Sequence, residues 1–203
     1  MNIPRLYAIA DASFGDPIEL SRRLFEGGAR LVQLRNKPAG ARELLHQTEA
    51  ILRLAPPDAR VLVNDRVDVA LLAGAHGVHL GQDDLSVEAA RSILGSQAII
   101  GFSTHNLTQA LQADQMPVDY VAVGPIFLTR SKQNPDPVLG LEAFRAICGR
   151  VQKPVVAIGG ITFDTGPEVF EAGATGIAVI SDLLRDPDIS GRTRRWCEGR
   201  FAR

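Results

Sequence analysis

The chain has 203 residues, of which 45% are hydrophobic, and this length allows one substantial core rather than two. Its 22 basic and 23 acidic side chains give a net charge of −1, which argues against a nucleic-acid or membrane-surface partner recruited by bulk charge. We find no signal peptide and no apolar stretch of membrane-spanning length, and Cys148 and Cys197 form no C-x-x-C pair, so we expect a cytoplasmic protein with reduced thiols.

Short apolar runs alternate with longer amphipathic stretches along the chain. The runs are rich in Val and Ile, as in strands covered on both faces. They predict strands at Leu6–Ala10, Leu31–Leu34, Val61–Asn64, Gly77–Leu80, Ile99–Ser103, Tyr120–Val123, Val155–Ile158 and Gly176–Ile180. Helices are predicted at Ile18–Glu26, Ala41–Leu54, Val67–Ala73, Val87–Leu94, Leu107–Ala113, Leu141–Cys148 and Pro167–Ala172, with a last one from about Thr193. This alternation predicts a parallel sheet.

Three similar helix-to-strand junctions indicate how that sheet is arranged. Their glycines, Gly28, Gly74 and Gly173, are separated by 46 and then 99 residues, which corresponds to two and four strand–helix units. Eight such units nearly fill the chain. An open doubly wound sheet also fits the alternation, but the count favours a single (β/α)₈ TIM barrel over residues 1–203.

In such barrels the active site lies at the carboxyl ends of the strands. The second predicted strand ends in Gln33-Leu34-Arg35-Asn36-Lys37, where alternation places Gln33 and Arg35 on one face. Arg35 offers a fork of donors to phosphate oxygens and Lys37 a mobile charge. The alternative is a solvated basic loop.

The next two strand ends carry aspartates. Asp65 after the third strand, and Asp83 and Asp84 after the fourth, predict a Mg²⁺ site, since Mg²⁺ prefers oxygen ligands together with a substrate phosphate. Each aspartate has another interpretation. Asp65 could cap a helix or pair with Arg66, and Asp83 and Asp84 could cap the helix that opens near Ser86.

The remaining strand ends are polar or glycine-rich. Ser103 could donate to a substrate or begin a helix cap, and the proline-rich segment from Gly124 to Pro137 is typical of a binding loop. Gly159-Gly160 and Ile180-Ser181 follow the last two strands, where backbone N–H groups commonly bind phosphate in eight-fold barrels. Together these ends predict a phosphate-handling site.

These motifs resemble those of the thiamine phosphate synthases. The resemblance is colinear from the first strand to the eighth, and its motifs are QLRNK at Gln33–Lys37, VND at Val63–Asp65, GVHLGQDD at Gly77–Asp84, GFSTH at Gly101–His105, GPIFLTRSK at Gly124–Lys132, AIGGI at Ala157–Ile161 and VIS at Val179–Ser181.

The resemblance implies a role for each matching position. The pyrimidine diphosphate would be held by Gln33, Arg35, Lys37, Asn64, Ser103 and Lys132, with Arg35, Lys37, Ser103 and Lys132 as the catalytic set. Asp65 and Asp84 would bind Mg²⁺. The thiazole phosphate would be bound by Thr129, Ser131, Gly160, Ile180 and Ser181. Leu34, Asn36 and Arg130 complete the expected substrate contacts.

The resemblance further implies a dissociative substitution, in which diphosphate leaves the pyrimidine methylene and the thiazole nitrogen attacks the resulting cation. The strand-six loop departs from the family pattern at Leu128, where proline is usual, and at Ser131, where threonine is usual. The alternatives are a thiazole tautomerase using His105 as acid or base, another phosphate-handling barrel such as an epimerase, and a non-catalytic phosphate-metabolite sensor. We expect small-molecule substrates and no nucleic-acid or membrane partner, and a homo-oligomer is compatible with the chain.

Overall fold

A computed structural model describes residues 3–129 and 136–199. Eight strands are present: β1 (Leu6–Asp11), β2 (Leu31–Arg35), β3 (Arg60–Asn64), β4 (Gly77–Leu80), β5 (Ile99–Thr104), β6 (Tyr120–Val123), β7 (Val155–Ile158) and β8 (Gly176–Val179). Each pairs in parallel with the next, and β8 pairs with β1, with Ala178 opposite Tyr7. The sheet is therefore a closed barrel, which confirms the predicted fold and excludes the open sheet.

Helices surround the barrel. They are α1 (Pro17–Glu26), α2 (Ala41–Leu54), α3 (Val67–Ala73), α4 (Val87–Leu94), α5 (Leu107–Asp114), α6 (Leu141–Cys148), α7 (Gly166–Glu171), α8 (Ser181–Leu184) and α9 (Ile189–Glu198). The seven helices from α1 to α7 agree with the predicted bounds to within one residue at each end. The prediction was wrong for the last helix, which begins at Ile189 because the Asp188 carboxylate accepts from the N–H of Gly191 at 2.8 Å. It also missed α8 and a short 3₁₀ turn at Ala12–Phe14.

Side chains alternate between two apolar layers along each strand. One layer lies between the strands and the helices and contains Leu34 and Val63. The other fills the barrel interior and includes Leu31, Leu62 and Tyr120. In the described part of the chain, no helix combines the length and apolarity that a membrane crossing requires.

The interior changes character along the barrel axis. Near the amino ends of β2 and β3 it is closed by large apolar side chains such as Leu31 and Leu62. At the carboxyl ends, the inward positions of the same strands carry Arg35 and Asn64 instead, and both line an open pocket. A barrel packed at one end and polar at the other places its chemistry at the carboxyl end.

Candidate active site

A pocket that opens to solvent lies at the carboxyl end of the barrel. All eight strands or the loops that follow them contribute to its wall. The lining residues are Tyr7, Ile9, Gln33, Arg35, Asn64, His79, Ser103, Thr104, His105, Ala122, Gly124, Pro125, Thr129, Asp136, Ile158, Gly159, Gly160, Ile161, Ala178, Ile180 and Ser181.

Most of the described residues predicted for the site line this pocket. They are Gln33, Arg35, Asn64, Ser103, Thr129, Gly160, Ile180 and Ser181. Three predicted contacts do not line it. Leu34 packs in the layer beneath the helices, Asn36 donates to the side-chain oxygen of Gln47 on α2 at 3.1 Å, and Lys37 pairs with Asp65. Arg130, Ser131 and Lys132 lie outside the described residues.

A chain of hydrogen bonds crosses the buried floor of the pocket. The Gln33 amide donates to the Tyr7 hydroxyl at 2.6 Å, and the Tyr120 hydroxyl donates to the same oxygen at 3.0 Å. His79 lies 2.8 Å from Tyr120 through Nδ1 and 2.8 Å from the Ser103 hydroxyl through Nε2. With Tyr120 donating to Tyr7, Nδ1 carries the His79 proton and Nε2 accepts from Ser103. The network therefore sets the orientation of the Ser103 hydroxyl.

Sequence reasoning missed the two tyrosines of this network. Each lies in an otherwise apolar strand, where an aromatic residue indicates packing rather than a site. Burial raises the pKa of both hydroxyls, so they remain neutral donors and acceptors. The sequence did contain one signal for them, which is a polar hydroxyl at an inward-facing position of a strand predicted to be buried. Ser103 does not cap a helix, since Asn106 caps α5.

Arg35 is held from the side by a buried carboxylate. Asp11, at the end of β1, is 2% exposed and forms an ion pair with Nη1 of Arg35. The other Asp11 oxygen accepts from the backbone N–H and the hydroxyl of Ser13, at 2.9 and 2.7 Å. A carboxylate with these partners restrains the guanidinium of Arg35, which also lines the pocket. This support was also missed, because Asp11 is 24 residues from Arg35 in sequence.

Lys37, Asp65 and Asp84 form a charged cluster beside the pocket. Nζ of Lys37 lies 3.2 Å from Oδ2 of Asp65, and Oδ2 of Asp84 accepts from the N–H of Gly81 at 2.7 Å. Burial raises the pKa of Asp84, and the neighbouring Asp65 carboxylate raises it further, although the Gly81 N–H and Lys37 oppose the shift. Two carboxylates are thus held side by side.

Neither helix is capped by these aspartates in the structure. Arg66 stands at the start of α3 and pairs with Asp68, while the Ser86 hydroxyl caps α4. Asp65 instead adopts a left-handed backbone with φ of 62°. That conformation costs on the order of 1 kcal/mol for a residue other than glycine, and such strain is concentrated at functional sites.

The carboxylate pair fits a hard divalent cation. Asp65 and Asp84 supply two oxygen ligands, and no group of three His, Cys, Asp or Glu residues in the described ranges offers a complete protein cage. Mg²⁺ is commonly bound by one or two carboxylates, with water and substrate phosphate completing the octahedron. A cation here would therefore bind together with a phosphate-bearing substrate.

Gly159 and Gly160 are required by the approach of the strand-six loop. A Cβ on Gly159 would lie 2.5 Å from Pro125, and one on Gly160 would lie 2.5 Å from the carbonyl oxygen of Leu128. Both residues have positive φ, at 101° and 67°. The N–H of Phe127 donates to the Gly159 carbonyl at 3.0 Å. These glycines therefore let two loops meet along one wall of the pocket.

His79 and His105, at the carboxyl end of the barrel, both form hydrogen bonds. Nδ1 of His105 lies 2.7 Å from the carbonyl oxygen of Gly124 and 3.5 Å from Oδ2 of Asp136. It therefore connects the two described ends of the strand-six segment. His79 lines the pocket floor.

Comparisons with known proteins show that the chain is similar to thiamine phosphate synthases. A family model described as thiamine monophosphate synthase matches residues 6–183. A thiamine-phosphate synthase of Koribacter versatilis is 50% identical over 194 residues, covering 92% of both chains. One of Chlorobium phaeovibrioides is 46% identical over 186 residues, covering 91% of this chain and 88% of the relative. The solved thiamine phosphate pyrophosphorylase of Pyrococcus furiosus superposes with a TM-score of 0.87 at 39% identity, covering 97% of this chain and 96% of that one.

Proposed function

The chain belongs to the thiamine monophosphate synthase family, and we propose that its pocket joins a pyrimidine diphosphate to a thiazole phosphate, giving thiamine phosphate and diphosphate. This is the transferase activity for which the relatives are named. One observation carries the proposal. Eight of the eleven described residues that the family resemblance assigns to the two substrates line a single pocket.

The reaction begins with loss of the diphosphate. The bond between the pyrimidine methylene carbon and the diphosphate oxygen breaks, and its electron pair leaves with the oxygen. The cation that remains is delocalised into the aminopyrimidine ring. The lone pair of the thiazole nitrogen then forms the new carbon–nitrogen bond. No protein nucleophile takes part.

Arg35 acts on the departing group. Negative charge accumulates on the diphosphate as the bond breaks, so a cation already in place stabilises the transition state more than the bound substrate. Asp11 holds the Arg35 guanidinium by one edge and so reduces the reorganisation needed during the reaction. Lys37 and, from outside the described residues, Lys132 are proposed to add positive charge to the same group.

Asp65 and Asp84 would hold Mg²⁺ beside the diphosphate. When bound, the cation would supply further positive charge to the leaving group. Without it, two adjacent carboxylates next to a diphosphate would repel the substrate, and the single positive charge of Lys37 offsets only one of their two negative charges. The two carboxylates therefore favour substrate binding only when a cation neutralises their charge.

Ser103 and Gln33 orient the pyrimidine ring. The Ser103 hydroxyl donates a hydrogen bond to Nε2 of His79. Its oxygen can therefore accept a hydrogen bond from an amino group of the substrate. Gln33 donates to Tyr7 and retains its carbonyl oxygen for the substrate. The side chains of Ile9, Ala122 and Ala178 exclude water from the ring. A dry, oriented site protects the pyrimidine cation from hydrolysis.

The thiazole phosphate is proposed to bind at the opposite wall. Gly160, Ile180 and Ser181 meet there, after β7 and β8, with Thr129 from the strand-six loop. Backbone N–H groups at this position are a common phosphate site in eight-fold barrels. A cytoplasmic location and a homo-oligomeric state remain predictions.

The test mixes purified protein with the pyrimidine diphosphate and the thiazole phosphate, with Mg²⁺ or with excess chelator. Equal amounts of thiamine phosphate and diphosphate are expected, with product lost in chelator and strongly reduced in Lys132→Ala. Folded protein that forms no product with Mg²⁺ present would refute the proposal. Tautomerisation of a thiazole carboxylate would then be assayed.

A further inference from the structure

A buried polar cluster lies behind the proposed thiazole-phosphate wall, on the side away from the pocket. Asp182 of α8 has a side chain only 7% exposed. Its carboxylate accepts from Nε and Nη2 of Arg192 at 3.1 and 2.7 Å, and from Nε1 of Trp196 at 2.8 Å. Arg192 and Trp196 belong to α9, so three hydrogen bonds join the last helix to the segment that follows β8.

The same two α9 side chains also contact the loop after β7. The Trp196 ring meets the Phe163 ring edge-on, with centroids 5.6 Å apart. The Arg192 guanidinium lies 5.3 Å from the centroid of the Phe163 ring. Phe163 follows Ile161, which lines the pocket, by two residues, and Asp182 immediately follows Ser181, which also lines it. The cluster therefore bridges both loops of the proposed phosphate wall.

A contribution to fold stability does not by itself explain why these charged side chains are buried together. Transferring a carboxylate and a guanidinium from water is costly, and apolar residues of similar size often stabilise a fold as well or better. A bidentate guanidinium and an indole N–H directed at one carboxylate instead restrict geometry. Loops that bind a phosphate through backbone N–H groups depend on such restriction, because a displacement of about 1 Å is enough to lose the contact.

We propose that Asp182, Arg192 and Trp196 are positioning residues, which hold the loops after β7 and β8 in the conformation that binds the thiazole phosphate. This inference rests on the proposed function. None of the three side chains lines the pocket. They act on the second substrate only, since the pyrimidine side of the pocket is supported by other contacts, those of Asp11 and His79.

The test compares the two substrates in Asp182→Ala, Arg192→Lys and Trp196→Phe. We expect Asp182→Ala to raise the KM and the calorimetric Kd for the thiazole phosphate on the order of tenfold, as for the loss of one charge-assisted hydrogen bond. The KM for the pyrimidine diphosphate should stay within about twofold. Arg192→Lys keeps the charge without the fork and should be intermediate, while Trp196→Phe keeps the ring contact and should change least.

Asp119→Ala is the matched control. Asp119 precedes β6 at the opposite end of the barrel and pairs with Arg91 at 2.7 Å, with both side chains partly buried. Its loss should lower the thermal midpoint without changing the KM for either substrate. A selective rise in the thiazole phosphate constants supports the inference. Constants that stay unchanged, or that rise together for both substrates, overturn it.

Two outcomes remain distinct from one another. If Asp182→Ala does not fold, Arg192→Lys and Trp196→Phe decide the question by the same criterion. If the wild-type protein binds the thiazole phosphate but makes no product, the proposed function fails. The calorimetric comparison then still tests the positioning role.

Discussion

Adding one methyl group at Gly101 should disturb the active site through packing alone. It lies in β5, at the inner face of the barrel, directly against the Tyr120 ring. A Cβ built there would stand 2.0 Å from Cζ and 2.2 Å from the hydroxyl oxygen of Tyr120. Tyr120 is fully buried and hydrogen-bonded to both Tyr7 and His79, so the ring has no space into which to move.

The cost of Gly101→Ala follows from these contacts. Overpacking a filled core costs about 1–3 kcal/mol. Displacing Tyr120 also breaks two buried hydrogen bonds, at roughly 1 kcal/mol each. The expected loss is therefore about 3–5 kcal/mol of unfolding free energy, which corresponds to a thermal midpoint lower by roughly 6–20 °C for a chain of this size. Because His79 also orients Ser103, turnover should fall even where the variant is folded.

Denaturant unfolding and calorimetry measure the first effect, and product formation measures the second. Gly40→Ala is the control, since a Cβ there meets nothing within 4 Å and φ is −72°. In a Tyr120→Leu background, Gly101→Ala should cost clearly less than alone, because the clashing ring is absent. A midpoint within about 1 °C of wild type, or full additivity with Tyr120→Leu, would refute the reasoning.

Three further predictions concern charge and buried polarity at the site. Asp84→Asn should lower the rate on the order of 10²-fold and raise the Mg²⁺ concentration needed for half-maximal rate, whereas Asp83→Asn, at an exposed neighbour, should change neither. Arg35→Lys should also lower kcat about 10²-fold, because a single ammonium cannot engage Asp11 and the diphosphate together; wild-type kcat would contradict the role of the fork. Tyr7→Phe leaves the buried Gln33 amide without its acceptor and should cost about 1–3 kcal/mol in denaturant unfolding, so an unchanged midpoint would count against the network.

The sequence predicted the fold well because the relevant signals are local. Buried strands read as short apolar runs, and helix ends were marked by glycine, as at Gly74, which adopts φ of 69° at the end of α3. The alternation of Gln33 and Arg35 against Leu34 also follows from strand geometry, and the pocket lining confirms it. The last helix was placed too late because its start depends on one capping carboxylate, Asp188, rather than on periodicity.

The site was predicted only where single residues carry their own chemical signal. The aspartates and cations at strand ends were visible in this way. The partners that orient them were not, since His79 and Tyr120 are 41 residues apart and Asp182 reaches Arg192 across a turn between two helices. Gly101 likewise reads as an unremarkable strand glycine until Tyr120 is placed against it. Long-range contacts of this kind require the fold.

Closure of the barrel by pairing β1 with β8 has a consequence during synthesis. Ala8 pairs with Val179, so the first strand lacks one neighbour until β8 has been made. At roughly 5–20 residues per second, that wait is on the order of 10–30 s. Throughout it, the edge of β1 is an unpaired template for other strands. Because α9 holds the loop after β8, which forms part of the proposed thiazole-phosphate wall, a nascent chain should acquire affinity for the thiazole phosphate only after α9 has been made.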